Sequence, residues 1–304
     1  MEMHKIALIG AGAVGAYFIW GFAGLEDVEL TVIADGDRKE RLARGGLTIN
    51  GKNYPLLVKA PAEAGEQDLV LIAVKHGALE DALELLPALV GPDTLVLSLL
   101  NGVDSEEKVA AAVGEEHVVP ALIRIASRRT GEGVTFDPAI AEGISFGLPA
   151  GREAEGEKLD RLTALFSKTS LHFQAAEDIL TALWAKYACN IANNLPQAVV
   201  GAPASLYHRS EHGLFLAQKL WSEVVAVAAS RGIALREEVM IFTGVTDAAR
   251  YSTLQDLEAG RHTEVDMFLG ELTRMAAEAG ISTPYSEFTY HIIKALEEKN
   301  DGRF

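Results

Sequence analysis

A lysine and three asparagines share one face of a predicted helix in the second half of the chain. The stretch Trp184–Asn194 contains Lys186, Asn190, Asn193 and Asn194, and its other residues are apolar. At about 100° of rotation per residue, these four side chains fall within an arc of about 100°. The helix is therefore predicted to be buried, and its polar stripe needs hydrogen-bond partners.

Two interpretations of this stripe remain open. In the structural one, Lys186 lies on the surface and the asparagines satisfy neighbouring backbone groups. In the functional one, the stripe lines a cleft, where amides donate hydrogen bonds to a carboxylate or hydroxyl without adding charge. A partly desolvated lysine can also serve there as a proton donor near neutral pH. Three asparagines in an apolar helix, each a mediocre helix former, favour the functional interpretation.

A glycine-rich turn at the start of the chain is the second candidate site. The apolar run 5–9 leads into the turn formed by Gly10, Ala11, Gly12, Ala13, Val14 and Gly15. In such a turn Gly10 makes the bend, Gly12 lets the backbone approach a pyrophosphate, and Gly15 lets the next helix pack closely. The phosphates would bind the N–H groups at the start of that helix. The setting between a strand and a helix predicts a dinucleotide site.

The end of the second predicted strand gives two opposite indications about the cofactor. Asp35 is an acidic residue about twenty positions after the turn, which favours NAD by binding a ribose 2′-OH. Arg38 could instead accommodate a 2′-phosphate, which favours NADP. Asp35 could equally cap the helix that starts near Arg38. The choice of cofactor stays open at this point.

The elements that position these residues are predicted from hydrophobic runs. Near-continuous aliphatic runs predict parallel strands at 5–9, 29–34, 69–74 and 94–99. Helices are predicted at 38–44, 77–90 and 104–113, and short β-like runs within 118–148 predict extra strands that close the sheet. From about Asp160 helical periodicity dominates. The predicted organisation is an α/β domain over residues 1–172 and an all-α domain over 173–304.

Two more strand ends and two helix starts carry candidate residues. Lys75 and Asn101 follow predicted strands, and ligands of open α/β sheets bind beyond the carboxyl ends of strands. A solvated lysine and an Asn-Gly turn are the plain alternatives. Ser252 with Gln255 fits a helix capping box, as Thr263 with Asp266 approximately does. Glu264 is then a residue of a first helical turn, where a negative charge favours the helix dipole.

Composition excludes several classes of function. The formal net charge of −16 argues against nucleic acid and anionic membranes as partners, because both need basic patches. No apolar run approaches the length of a membrane span. Cys189 is the single cysteine, which excludes disulfides within the chain and fits a cytoplasmic location. An apolar helical domain could also form a homodimer.

In combination, these segments resemble the ketopantoate reductase family over most of the chain. The matching segments are the glycine turn, Ala73-Val74-Lys75, Asn101-Gly102 with Glu106-Glu107-Lys108, Trp184-Ala185-Lys186, Gly260-Arg261-His262-Thr263-Glu264 and Gly280-Ile281-Ser282-Thr283-Pro284. The resemblance implies a Rossmann-type domain followed by an all-helical domain, with the active site in the cleft between them. It also implies the reduction of 2-dehydropantoate, a small-molecule 2-oxoacid, to pantoate with NADPH, on the route to pantothenate and coenzyme A.

The resemblance also implies a role for each matched residue. Lys186 is expected to donate a proton to the alkoxide that forms as hydride arrives, where its charge stabilises the transition state. Asn190, Asn194 and Ser252 are expected to contact the substrate. Asn101 is expected between cofactor and substrate, Lys75 near the cofactor, and Glu264 as a catalytic residue near the nicotinamide.

Three positions depart from the family pattern. Ala204 and Ala249 stand where substrate-binding asparagines are expected, and Asp35 stands where many NADP-dependent members have a basic residue. The alternative function is therefore a D-2-hydroxyacid dehydrogenase of the same family, which prefers NADH and acts on another branched or aromatic 2-oxoacid. A dinucleotide sensor without turnover is a further alternative.

Overall fold

The computed structural model describes residues 2–131 and 133–304. The chain forms two compact units, one from Met1–Leu100 with Asp104–Ile179, the other from Asn101–Val103 with Leu180–Phe304. The first contains parallel strands and helices and the second is helical, which confirms the predicted fold class. In the described part of the chain, no helix is both long and apolar enough to cross a membrane.

All strands of the described residues belong to the first unit. They are β1 (Lys5–Ile9), β2 (Glu29–Ile33), β3 (Leu47–Ile49), β4 (Lys52–Tyr54), β5 (Leu57–Lys59), β6 (Gln67–Ile72), β7 (Val90–Ser98), β8 (Ala121–Arg124), β9 (Arg128–Thr130), β10 (Gly133–Thr135), β11 (Gly143–Phe146) and β12 (Phe173–Ala175). The central sheet is entirely parallel, in the order β5-β2-β1-β6-β7. Its inner strands β1 and β6 are almost entirely buried and mostly aliphatic, as is typical of a parallel sheet that helices cover on both faces.

The helices continue through both units. They are α1 (Ala13–Phe22), α2 (Gly36–Gly45), α3 (Pro61–Ala64), α4 (Leu79–Leu83), α5 (Ser105–Val113), α6 (Gly156–Phe166), α7 (Ile179–Val200), α8 (Leu206–Arg209), α9 (Glu211–Ser230), α10 (Ser252–Glu258), α11 (Glu271–Glu278) and α12 (Pro284–Asn300), with a π-helical turn at Asp266–Gly270. The helix predicted over 77–90 is interrupted, with 3₁₀ turns at His76–Ala78 and Leu86–Ala88 on either side of α4. Pro87 lies in the second turn, where a proline cannot continue an α-helix.

The strands predicted within 118–148 form, but they do not close the central sheet. Strands β8, β11 and β12 make a separate sheet, and β9 and β10 join β3 and β4 in another. Among the described residues of this stretch, Val118 alone pairs with the central sheet, through an isolated bridge to Val96. The prediction of a closed sheet is therefore wrong in topology, because hydrophobic pattern identifies a strand without naming its neighbour. Strand β12 follows the predicted domain boundary at 172/173 and pairs with β11.

A buried carboxylate holds the start of α5. Asp104 is 3% exposed, and its Oδ2 lies 2.8 Å from Lys108 Nζ and 3.5 Å from His76 Nε2. Burial alone would raise the pKa of Asp104, but hydrogen bonds from His76 and Lys108 lower it to about 2. The carboxylate thus connects the turn after β6 with the helix that follows β7, at the end of the sheet where Lys75 also lies.

We expect Asp104→Asn to lower the free energy of unfolding at pH 7 by about 2 kcal/mol. The folded-state pKa lies below the unfolded value of 3.8, so this stabilisation is present above pH 4 and is lost as pH falls through 2. The difference between wild type and variant in urea unfolding should therefore shrink from pH 5 to pH 3. Asp160→Asn, at an exposed carboxylate, is the control. A difference that does not change with pH would contradict the assignment.

Candidate active site

Two of the three glycines in the N-terminal turn lie where no side chain fits. Gly10 has a φ of +108°, and a Cβ on it would lie 2.5 Å from the carbonyl oxygen of Ala73. A Cβ on Gly15 would overlap the carbonyl oxygen of Gly10. A Cβ on Gly12 would meet nothing within 4 Å, so there is open space beside this residue. The turn is therefore tight against β6 and open at Gly12.

The first turn of α1 presents unpaired backbone donors. Gly12 is the N-cap and provides no side-chain capping bond, and no acidic residue lies in the first turn. The first intrahelical hydrogen bond runs from Ala16 N to Gly12 O at 3.0 Å, so the N–H groups of Ala13, Val14 and Gly15 lack an acceptor of this kind. Unpaired donors, a favourable dipole and open space at Gly12 fit the pyrophosphate of a dinucleotide.

Lys75, Asp35 and Arg38 lie at the same edge of the central sheet as the turn. Lys75 follows β6, whose backbone touches Gly10, and it is exposed. Asp35 follows β2, next to β1, and its carboxylate accepts a hydrogen bond from Gly36 N at 2.7 Å as the N-cap of α2. Arg38 is exposed in the first turn of that helix. The capping interpretation of Asp35 is confirmed, and both Asp35 and Arg38 are exposed.

In the second unit, Lys186 is paired with Asn101. Lys186 Nζ donates a hydrogen bond to Asn101 Oδ1 at 3.1 Å, and both residues are half-buried. Asn101–Val103 belongs to this unit although it directly follows the strands of the first. Val103 packs against the apolar core of the second unit. The structure thus brings together a lysine and an asparagine that lie 85 positions apart in the sequence.

Further along α7, the polar stripe reaches Ser252. Asn194 is 5% exposed, and its Nδ2 donates to Ser252 Oγ at 3.4 Å. Asn190 lies one helical turn before it, half-buried, and its amide bonds to no residue in the part of the chain described. Lys186, Asn190 and Asn194 are spaced four residues apart and span about 12 Å of helix. Donors at Asn190 and Asn194 thus follow the ammonium group along one side of the helix.

Asn193 belongs to the structural interpretation of the stripe. It is fully buried, and its Nδ2 donates at 2.8 Å to the carbonyl oxygens of both Cys189 and Met240. Its Oδ1 accepts from Phe242 N at 3.0 Å. This amide therefore fastens residues 240–242 to α7. The structural interpretation thus holds for Asn193, while the functional interpretation of Asn190 and Asn194 stays a prediction.

The two predicted capping boxes are wrong. Tyr251, not Ser252, is the N-cap of α10 and makes no side-chain capping bond, while Gln255 donates to Arg250 O. Ser252 is the first residue inside α10, and its Oγ accepts from Asn194 Nδ2. Thr263 does not form a box with Asp266, which accepts from Tyr290 and Lys294. Thr263 Oγ1 does accept from Val265 N at 3.2 Å, so the simpler interpretation of Thr263 as a capping residue is confirmed.

Glu297 holds the segment that carries Glu264. Its buried carboxylate accepts hydrogen bonds from Thr263 N and Thr263 Oγ1, each at 2.7 Å, and lies 2.9 Å from Lys294 Nζ. Burial would raise the pKa of Glu297, but these contacts lower it. Glu264 is half-buried just before the π-helical turn. Sequence reasoning missed Glu297, because nothing in its local pattern separates it from a surface glutamate of α12.

The two alanines that replace expected asparagines are neighbours. Ala204 N donates to Ala249 O at 2.8 Å, and Ala204 is 2% exposed. Nearby, Tyr251 packs edge-on against Phe242 with ring centres 5.2 Å apart. The Tyr251 hydroxyl is buried without a hydrogen-bond partner in the described part of the chain. Beside the two alanines, the Gln197 amide donates to Ala249 O at 3.3 Å and is thereby engaged with the backbone.

Comparison with known proteins identifies similar sequences over nearly the whole chain. Residues 6–146 match the family model "Ketopantoate reductase PanE/ApbA", and residues 178–297 match "Ketopantoate reductase PanE/ApbA C terminal". A 2-dehydropantoate 2-reductase of Pyrococcus horikoshii is 27% identical, with 98% of this chain and 99% of the relative covered.

Solved structures share the fold. A PanE/ApbA family ketopantoate reductase from Ralstonia eutropha superposes with a TM-score of 0.79 at 27% identity, covering 98% of this chain and 99% of the other. D-mandelate dehydrogenase, solved with NADH and anilino(oxo)acetate, superposes with a TM-score of 0.81 at 23% identity, with the same coverage. At that lower identity the likeness shows the fold alone.

We expect alanine substitution to have different effects at Asn193 and at Asn190, mainly on stability at Asn193 and mainly on substrate binding at Asn190. Asn193→Ala leaves Met240 O and Phe242 N unpaired and should lower the free energy of unfolding by about 3 kcal/mol. Asn190→Ala removes no hydrogen bond to a described residue and should cost less than about 1 kcal/mol. It should instead raise the KM for a 2-oxoacid. Urea unfolding and steady-state kinetics measure the two effects, and a stability loss at Asn190 equal to that at Asn193 would contradict this division.

Proposed function

The chain belongs to the ketopantoate reductase family of NAD(P)H-dependent oxidoreductases, and on this premise we propose that it reduces 2-dehydropantoate to pantoate. The observation that carries the proposal is the pairing of Lys186 with Asn101, in line with the amides of Asn190 and Asn194. This arrangement offers one cation and several neutral donors. A 2-oxoacid presents the matching acceptors, a ketone oxygen and a carboxylate.

The proposed chemistry assigns Lys186 as the proton donor. Bound nicotinamide cofactor supplies the hydride that adds to the ketone carbon. The electron pair of the broken C=O π bond then moves to the oxygen, which takes a proton from Lys186 Nζ. The ammonium stabilises charge that appears only in the transition state. Asn101 accepts from the same Nζ and so fixes the direction of the side chain.

The other polar residues are proposed to orient the substrate. Asn190 and Asn194 can donate to the carboxylate or hydroxyl without adding charge, which matters in a chain of net charge −16 that repels anions overall. Ser252 lies at the end of this line through its bond to Asn194. Glu264 is proposed near the nicotinamide, in a segment that Glu297 holds in place.

We propose NADPH as the cofactor, with NADH as the alternative. The glycine turn, with Ala11, Ala13 and Val14 between its glycines, would hold the pyrophosphate, with Lys75 close to the cofactor. Arg38 supports a 2′-phosphate because it is exposed in the first turn of α2, the helix that follows β2. Asp35 supports NADH, since only one of its oxygens is used in capping Gly36. The assembly into homodimers remains a prediction from the sequence.

The second candidate function is a D-2-hydroxyacid dehydrogenase acting on a branched or aromatic 2-oxoacid. The adjacent alanines Ala204 and Ala249 favour it, because they remove two amides that could bind the hydroxyl of ketopantoate. The rings of Phe242 and Tyr251 offer apolar surface nearby. D-mandelate dehydrogenase shares this fold and was solved with NADH and an oxoacid that carries an aromatic ring, which makes aromatic 2-oxoacids worth testing.

We expect Lys186→Met to reduce kcat by about 10² to 10⁴, the usual contribution of a positioned general acid. Binding of NADPH, followed by its fluorescence, should be retained, because the dinucleotide is proposed to bind through the first unit. Lys299→Met, at an exposed lysine in the last turn of α12, is the control and should keep full activity. A near-normal kcat in Lys186→Met would refute the assignment.

The substrate is tested by a matrix of rates, with ketopantoate and a set of branched and aromatic 2-oxoacids, each with NADPH and NADH. We expect the highest kcat/KM for ketopantoate with NADPH. A site built to bind a substrate hydroxyl rejects an analogue without it by about 10⁴ or more. A higher value for an aromatic acid with NADH would establish the second candidate instead. Cofactor binding without oxidation by any acid would indicate a sensor and contradict both.

A further inference from the structure

Arg129 reaches the glycine-rich turn from a distant part of the first unit. It lies in β9, and its Nη1 donates a hydrogen bond to the carbonyl oxygen of Ala11 at 3.1 Å, across 118 positions of sequence. This contact belongs to none of the motifs that identified the turn. It places a permanent positive charge beside the start of α1.

The position of Arg129 depends on how the β9–β10 hairpin packs, because β9 itself is exposed. Its partner across the hairpin, Val134, is 1% exposed and also pairs with Ile49 of β3. Just beyond β10, the ring of Phe136 packs against Tyr17 and Trp20 of α1, with ring centres 5.4 and 5.6 Å apart. The hairpin is therefore fixed on the same helix whose N-terminus faces the turn.

The guanidinium has more donors than the turn uses. A guanidinium carries five N–H donors, and the bond to Ala11 uses one of them. No carboxylate of the described residues lies within ion-pair distance of Arg129, and the residue is exposed. The chain carries 43 acidic and 27 basic residues, so an unneutralised arginine beside unpaired helix amides is a local exception. Such a fork suits the paired oxygens of a diphosphate.

We propose that Arg129 is a diphosphate-binding residue, closing over the glycine-rich turn and donating to the pyrophosphate of the dinucleotide. This inference rests on the cofactor site of the proposed function. It extends that site from one turn and one helix to a third element, the β9–β10 hairpin. Arg129 contributes to binding through the group that NADH and NADPH share, and therefore not to the choice between them.

The neighbouring Arg128 provides a matched control. It has the same charge and lies on the same strand, but successive side chains of a strand point to opposite faces. None of the hydrogen bonds to the glycine-rich turn comes from Arg128 in the described residues; its backbone carbonyl accepts from Thr135 Oγ1. Any effect of lost charge alone should therefore appear equally in both variants.

The test measures dissociation constants by calorimetry for NADPH, NADH, ADP and 2′-AMP, with wild type, Arg129→Gln, Arg129→Lys and Arg128→Gln. We expect Arg129→Gln to weaken NADPH, NADH and ADP by a common factor of about ten to a hundred, typical of a lost charged hydrogen bond. Binding of 2′-AMP, which lacks the diphosphate, should change less than twofold. Arg129→Lys should recover part of the affinity, and Arg128→Gln should match wild type.

Three results would overturn the proposal. If Arg129→Gln and Arg128→Gln bind the nucleotides with equal dissociation constants, Arg129 only attaches the hairpin to the glycine-rich turn. A lower melting temperature of Arg129→Gln would then report that structural role. A loss confined to NADPH and 2′-AMP would place Arg129 at the 2′-phosphate. Failure of wild type to bind either nicotinamide dinucleotide would contradict the proposed function itself and this proposal with it. If Arg129→Gln does not fold, the comparison of Arg129→Lys with wild type still measures the loss of the fork.

Discussion

Helix α7 carries polar side chains through the apolar core of the second unit, and the need to pair them organises that unit. An unpaired buried polar group costs about 1–3 kcal/mol, so each fully buried amide on this helix must find a partner. Asn193 binds Met240 and Phe242, and Gln197 binds Ala249 and Tyr251. Residues 231–251, which form no helix or strand, are thereby attached to α7.

That attachment determines where the proposed substrate-binding groups lie. Because Gln197 Oε1 accepts from Tyr251 N, the first turn of α10 begins beside α7, and Ser252 comes within reach of Asn194. The structural amides and the candidate functional amides therefore alternate along a single helix. The structural amides attach residues 231–251 to α7, and the candidate functional amides are not used for that attachment. Asn190, with no partner among the described residues, is the clearest member of the second group.

The sequence predicted the polar stripe on α7 but not which of its amides bind the loop and which do not. Spacing alone places Asn190, Asn193 and Asn194 on one face of the helix. It cannot separate them further, because the angular position of a residue does not tell which neighbour supplies an acceptor. The capping boxes failed for a related reason. Ser252 has the right residue type, but the helix starts one residue earlier than the pattern requires, and tertiary contact with Asn194 uses its hydroxyl.

In the first unit, the aliphatic strands of the central sheet were predictable and the three-residue strands β3, β4 and β5 were not. Strands β1, β2, β6 and β7 have the continuous apolar character that identifies a parallel sheet. Strands β3, β4 and β5 have three residues each and no such pattern; β5 pairs with β2, while β3 pairs with β4 and with the equally short β10. In the glycine-rich turn, Gly10 and Gly15 are tightly packed and Gly12 is open, as the motif predicts. Arg129 was not predicted, because it lies 118 positions from Ala11 and no local motif connects the two.

The chemistry and the choice of substrate can therefore change independently in this chain. The proposed proton donation depends on Lys186 and Asn101, which pair at one end of the stripe on α7. The contact between Ala204 and Ala249 lies beyond the other end, where Gln197 Nε2 donates to the same Ala249 carbonyl. Replacing asparagine by alanine there removes side-chain amides but keeps the backbone bond that closes the loop. Under the proposed function, a change of that kind alters the surroundings of the substrate's side chain and leaves the pairing of Lys186 with Asn101 untouched.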